Sequence, residues 1–232
     1  MSLSAGLPFS SIVFDLDGTL VDTAPDLAAA LNHVLDHAGR RPVDLQEIRQ
    51  LVGRGARVAI ERGLALTGAP EERPEILDDY FARFLAYYGD NICAGSRPFP
   101  NAIETVETFR AQGARTGICT NKPQVLTDGL MQALNLADRF EAIVGADSVP
   151  ARKPDPGHLF ETIRRMGGEP ASAVLIGDSE TDVKTARAAG IPVIAVSFGY
   201  TVTPAHALGA DAVIDDFAEL GDTLARLARS AA

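Results

Sequence analysis

Asp15 and Asp17 stand two positions apart at the end of an apolar run, Ser11-Ile12-Val13-Phe14-Asp15-Leu16-Asp17-Gly18-Thr19-Leu20. In a strand, side chains alternate between faces, so the two carboxylates point the same way and Leu16 points into the protein. Paired carboxylates repel unless a cation, a shared proton or donors from the next loop compensate them. Gly18 and Thr19 can supply loop amides and a hydroxyl. The run reads as a site for a metal and an anion. An ordinary strand end with a polar turn uses the same residue types, so the reading depends on what the rest of the chain brings to the same place.

The elements that would position these acids can be read from periodicity. Asp22-Thr23-Ala24-Pro25 is a helix start, and Leu27, Leu31 and Leu35 recur at helical spacing until Gly39. A second helix opens at Asp44 with Glu47 three residues on, as in a capping box, and runs to Leu51 or Val52. A third passes through Val58, Ile60 and Leu64, and a fourth carries Ile76 to Tyr88; no strand is expected between Asp22 and Asn91. From Pro98 onward helices alternate with strands. Helices are expected over Asn101–Gln112, Pro123–Asn135, Pro156–Met166, Glu180–Ala189 and a last one ending near Ala228. Strands are expected at Arg115–Cys119, Ala142–Val144, Ala173–Ile176, Ile191–Val196 and Ala212–Ile214. Apolar strands with helical crossovers imply an α/β fold, a Rossmann-like doubly wound, mainly parallel sheet covered on both faces. The first strand belongs with this part, so residues 22–94 read as an inserted all-helical cap and residues 1–21 with 95–232 as the catalytic core.

In open parallel sheets ligands bind beyond the carboxyl ends of the strands, and further strand ends here carry suitable groups. Thr120 and Asn121 offer a hydroxyl and an amide with free donors for a phosphoryl oxygen. The loop Arg152-Lys153-Pro154-Asp155-Pro156 is stiffened by prolines and presents Lys153 as a point charge. Gly177-Asp178-Ser179-Glu180-Thr181-Asp182 sets Asp178 at a strand end and Asp182 at the start of the next helix. Each alone is equally a turn, a solvated loop or a helix cap; their joint order is much less easily accidental.

Together the four stretches resemble the four motifs of the haloacid dehalogenase superfamily, in order and over essentially the full length, and the helical insertion resembles that of its subclass with a helical cap. The run Phe14 to Asp26 and the loop Val52-Gly53-Arg54-Gly55 are most similar to the bacterial phosphoglycolate phosphatases. The resemblance implies that Asp15 attacks phosphorus to form an aspartyl phosphate. Asp17 then serves as acid and base, and Gly18, Thr19, Thr120, Asn121 and Lys153 bind the transferring phosphoryl oxygens. It implies Mg²⁺ held by Asp15, the backbone carbonyl of Asp17 and Asp178, with Asp182 acting through an intermediary. In the cap, Gly53, Arg54 and Gly55 would set substrate choice. Arg54 either pairs with a substrate carboxylate or is a solvated loop residue.

The implied partner is a small phosphorylated metabolite, with 2-phosphoglycolate first, other monoesters or pyrophosphate open, and a hexose-phosphate mutase as the alternative. Dehalogenases lack an acid at the position of Asp17, and a non-catalytic phosphate-binding regulator would be expected to lose the nucleophile or the acid. A formal net charge of −10 and a pI near 4.8 argue against nucleic acid or an anionic membrane. Cys93 and Cys119 fall in different contexts and suggest small apolar residues in a reducing compartment. With no signal-like start and no apolar run near the ~20 residues of a membrane helix, a cytoplasmic enzyme is expected, as monomer or homodimer. His33 and His37 sit one helical turn apart and lack a third ligand, which favours a surface or part-buried pair over a metal site.

Overall fold

The computed structural model describes residues 7–52, 55–71 and 73–231. Its core is a six-stranded parallel sheet in the order β5-β4-β1-β6-β7-β8. The strands are β1 (Ser11–Phe14), β4 (Arg115–Cys119), β5 (Ala142–Val144), β6 (Ala173–Gly177), β7 (Val193–Val196) and β8 (Ala212–Ile214). β1 lies centrally, paired with β4 through Phe14↔Ile118 and with β6 through Phe14↔Ile176. The next residue, Asp15, therefore leaves the sheet at its middle, at the carboxyl edge where the strand order turns from one half to the other.

Alternation along β1 divides the core. Ile12 and Phe14 pack on one side with Val106, Phe109, Leu130, Met131 and Phe217. These come largely from α5 (Ala102–Ala111) and α6 (Gln124–Ala133), and α9 (Leu220–Ala231) closes the same face. Val13 faces the other way, against Leu159, Ile163, Val183 and Ala186 of α7 (Pro156–Arg165) and α8 (Glu180–Ala189). A strand buried on both faces is near-continuously apolar, which is why residues 12–14 read as an unbroken apolar run. The expected fold class is borne out.

Between β1 and β4 the chain forms α1 (Ala24–His37), α2 (Leu45–Leu51), α3 (Ala56–Thr67) and α4 (Pro74–Asp90) around a cluster of their own that includes Leu31, Leu35, Ile48, Ile60, Leu64 and Phe84. The α2 start is the expected capping box, with Glu47 N–H donating to Asp44 at 2.8 Å and Asp44 N–H to Glu47 at 2.9 Å. Where the chain enters and leaves these helices the structure departs from expectation. Val21–Asp22 (β2) and Arg97–Pro98 (β3) pair antiparallel as a two-stranded ribbon. Strands of two residues carry no periodicity, so no sequence pattern could announce them. The Thr23 side chain makes no cap bond, and Asp22 Oδ1 accepts from Ala24 N–H at 3.3 Å instead. The last helix also runs past Ala228, to Ala231. His33 stacks on Tyr87 with ring centroids 4.5 Å apart, and His37 meets Tyr80 edge-on at 6.1 Å, so the two histidines serve packing. Cys93 and Cys119 are free thiols, and no described helix is long and apolar enough to cross a membrane.

Candidate active site

Asp15 is positioned by β1, its N–H donating to Ile176 O at 2.9 Å. Its Oδ1 accepts from Leu16 N–H at 2.7 Å and from Lys153 Nζ at 2.9 Å, and its Oδ2 has no donor among the described residues. Burial pushes the Asp15 carboxyl up to about 6 against the pull of Lys153, and Asp182 pushes the same way. Lys153 is 4% exposed and also donates to Asp182 Oδ1 at 2.6 Å. Burial works to lower the Lys153 ammonium's pKa, but Asp15 and Asp182 outweigh it and hold the group charged.

Asp182 is fully buried and does two things at once. Its Oδ2 accepts from Ser179 N–H and from the Ser179 hydroxyl at 2.6 Å, closing a capping box at the start of α8. Its Oδ1 anchors Lys153. With donors on both oxygens, it braces the cluster from behind. Asp178, 1% exposed, accepts from Tyr200 N–H at 2.6 Å on Oδ2, while Oδ1 has only a long contact of 3.5 Å from the Thr19 hydroxyl. Burial, then Asp182 and Asp15, push its carboxyl well above the usual range.

The fit to a cation follows from these observations. Asp15, Asp178 and Asp182 each offer an oxygen within 4.8 Å of the others. Oxygen-only donors suit Mg²⁺ or a similar hard ion. Lys153 is the one lysine on this cluster among the described residues, against the part-exposed Asp15 and the buried Asp178 and Asp182, which leaves net negative charge for a cation to offset. The residues present fit a divalent cation.

Asp17 lies apart from this trio. Its carboxylate is bound by Lys122 Nζ at 3.0 and 3.2 Å, and Lys122 also donates to the Tyr88 hydroxyl of α4 at 2.8 Å. Lys122 is 7% exposed. Burial works against its charge, and Asp17 and Tyr88 more than compensate, holding its pKa above the ordinary value. Thus the four acids do not converge on one point: three form a cluster in which Lys153 binds Asp15 and Asp182, and the fourth pairs with a second lysine. Sequence reasoning passed over Lys122 although it directly follows Thr120 and Asn121. A Lys beside a turn proline is usually solvated, and only α4 folding over it makes it buried. Tyr88 and Tyr200 were passed over too, since apolar spacing assigns Tyr88 to packing and Tyr200 lies in a loop with no motif around it.

Several expected donors point elsewhere. Gly18 N–H donates to Val21 O at 2.9 Å and Thr19 N–H to Leu16 O at 3.3 Å, so these amides close the turn after β1. Gly18 holds φ at 82°, and a Cβ there would strike Asp178 and Tyr200. The Asn121 carboxamide donates to Lys153 O at 2.9 Å and secures the lysine loop. The amides of Asp17 and Asn121 remain without acceptors among the described residues. The Thr120 hydroxyl oxygen accepts from Lys122 N–H at 3.2 Å and keeps its own proton available.

Asp15, Asp17, Thr120, Asn121, Lys122 and Asp178 line one cavity of about 110 Å³, roofed by Leu27, Val52, Phe84, Leu85 and Tyr88 from the helices. Gly55 lines it as well, with φ at 93° at the start of α3. Gly53 and Arg54 lie outside the described residues. An oxygen-presenting carboxylate beside a buried ammonium, in a cluster of acids that fits a divalent cation and with a second acid lining the same small cavity, has the groups that a nucleophilic displacement at phosphorus would need.

The chain belongs to the haloacid dehalogenase-like hydrolase family, whose pattern matches residues 12–196. It is 48% identical over 221 residues to a protein of Mesorhizobium japonicum named phosphoglycolate phosphatase, covering 95% of this chain and 97% of that one. A protein of the same name from Caulobacter vibrioides is 44% identical over 223 residues, 95% of this chain and 92% of that one. Among solved structures, a "predicted phosphoglycolate phosphatase" of Haemophilus somnus superposes with a TM-score of 0.85 at 31% identity, covering 93% of this chain and 98% of that one. CbbY of Rhodobacter sphaeroides, solved in complex with phosphate, does so with a TM-score of 0.75 at 26% identity, covering 92% and 96%.

Proposed function

We propose that the chain is a phosphatase hydrolysing 2-phosphoglycolate to glycolate and phosphate through a phosphorylated Asp15. The observation that carries this reading is the Asp15 carboxylate, one oxygen held by buried Lys153 and the other without a donor among the described residues, lining the same small cavity as Asp17. The free oxygen attacks phosphorus in line, and the bond from phosphorus to the leaving alcohol oxygen breaks as the aspartyl–phosphorus bond forms. Asp17 gives its proton to the leaving oxygen, then takes one from the water that attacks phosphorus and releases phosphate; such a role contributes ~10²–10⁴-fold. Lys153, the Thr120 hydroxyl and the amides of Asp17 and Asn121 bind the oxygens on which charge grows. Asp15, Asp178 and the Asp17 carbonyl would hold Mg²⁺, backed by Asp182. When bound, that ion neutralises phosphoryl charge.

Substrate choice is supported by the relatives named above. The apolar roof suits a short carbon chain. On this reading residues 22–94 are a cap inserted into a core of residues 1–21 and 95–232, Gly53, Arg54 and Gly55 tune specificity from the cap, and the enzyme works in the cytoplasm. A panel of phosphate esters tests it. We expect the highest kcat/KM on 2-phosphoglycolate, with hexose 1-phosphates releasing phosphate slowly and no 6-phosphate isomer accumulating. Efficient isomer formation would make the chain a mutase.

A further inference from the structure

Tyr200 belongs to both halves of the molecule. Its side chain is 2% exposed and packs in the cluster of the four helices α1–α4, yet its backbone N–H donates to Asp178 Oδ2 at 2.6 Å. Its hydroxyl donates to Asp22 Oδ1 at 2.5 Å and accepts from Ala24 N–H, at the start of α1, at 2.8 Å. The second oxygen of Asp22 accepts from Arg49 Nη2, on α2, at 2.6 Å. An unbroken chain thus runs from Asp178 through Tyr200 and Asp22 to Arg49. All three links are short, and each involves a carboxylate.

The path has a particular location. Asp22 sits on β2, where the chain crosses into the helices. The other tie at this crossing, Asp26 accepting from Gly95 N–H, Ser96 N–H and the Ser96 hydroxyl at 2.5–2.9 Å, joins the two crossings to each other and never reaches the acids. Tyr200 is also pressed close to the site, because a Cβ on the preceding Gly199 would collide with Asp178. A displacement of Tyr200 therefore displaces the only short donor on the Asp178 carboxylate among the described residues.

We infer that Arg49, Asp22 and Tyr200 form a latch that couples the seating of the helices to the orientation of Asp178, so that Tyr200 and Asp22 are positioning residues for the cation. The inference rests on the proposed reading of Asp178 as a cation ligand. With the latch made, the Tyr200 amide holds Oδ2 and leaves Oδ1 to the ion. With it broken, the Tyr200 loop loses its anchor and the carboxylate its fixed rotamer.

Calorimetric titration of the substrate-free protein with Mg²⁺ tests this without reference to turnover. Tyr200→Phe keeps the ring and the amide but removes the hydroxyl. Arg49→Gln cuts the far end of the chain at a side chain that is 41% exposed, and decides the matter should Tyr200→Phe fail to fold. Each should raise the Mg²⁺ dissociation constant about 5- to 20-fold, less than the roughly 10- to 100-fold of a full charge-assisted hydrogen bond because the broken bond does not touch Asp178 itself. The double variant should bind no more weakly than the worse single one, because both act through Asp22. Wild-type affinity in either folded variant, or losses that multiply in the double, would overturn the latch. Equal titrations of wild type and Asp178→Asn would instead overturn the cation assignment beneath it.

Discussion

Two buried lysines divide the negative charge of the site between them. Lys153 serves Asp15 and Asp182, and Lys122 serves Asp17. On the proposed mechanism, their separation would let one acid act as nucleophile and its neighbour as proton donor, although the two are two residues apart. If Lys122 orients Asp17, Lys122→Met should lower kcat about 10²-fold, within the range of a displaced general acid, and change Mg²⁺ affinity little. Lys122→Arg should restore part of the loss, since a planar guanidinium fits poorly between the Asp17 carboxylate and the Tyr88 hydroxyl. Steady-state kinetics with circular dichroism as a folding check would decide. Unchanged kcat in Lys122→Met would leave the pair as packing alone. Asp15, Asp17 and Asp178 were legible because each sits at or just past a strand end with a suitable group, and Lys153 because prolines mark the loop that presents it. Lys122 was not, since its burial depends on a helix from another part of the chain.

At the scale of elements, α7 illustrates how a neutral histidine is locked into the core. His158 is fully buried, and its Nε2–H donates to Val144 O at 3.1 Å while Nδ1 has no partner among the described residues. Burial, then the nearby Lys153 charge, lower its pKa from 6.5 to about 4. Between those values the unfolded chain takes up a proton that the folded protein refuses. Stability is therefore complete above pH 6.5 and falls as pH drops toward 4, by about 3 kcal/mol at most. In His158→Gln, which keeps a donor for Val144, this part of the acid sensitivity should vanish. Melting temperatures of both proteins across that window check it, and parallel declines would contradict it. Element type and position were well marked in the sequence. The capping box of α2 and the apolar strands are local signals, whereas the ribbon of β2 and β3 depends on pairing across 75 residues, from Asp22 to Arg97.

For the whole molecule, the sheet and the helical unit meet around a cluster of acids that the fold holds together against their repulsion. A cation bound only by the folded state stabilises it by mass action, ~2.7 kcal/mol at 100 times its dissociation constant. Mg²⁺ should therefore raise the melting temperature, and equal melting in EDTA and in millimolar Mg²⁺ would argue against a preformed site. The alternation of strands and helices made the architecture readable from the start, because a doubly wound sheet repeats one local unit. The contacts between the helices and the sheet were not readable, since Tyr88, Tyr200 and Arg49 meet partners that no spacing rule connects. The most direct test of the chemistry is to quench the enzyme during turnover of 2-phosphoglycolate with Mg²⁺ and locate the phosphoryl group by peptide mass spectrometry. It should lie on Asp15 and be absent from Asp15→Asn, which should fold normally and turn over no faster than background. A phosphoryl group on another residue, or substantial activity in folded Asp15→Asn, would contradict the assignment of Asp15 as nucleophile.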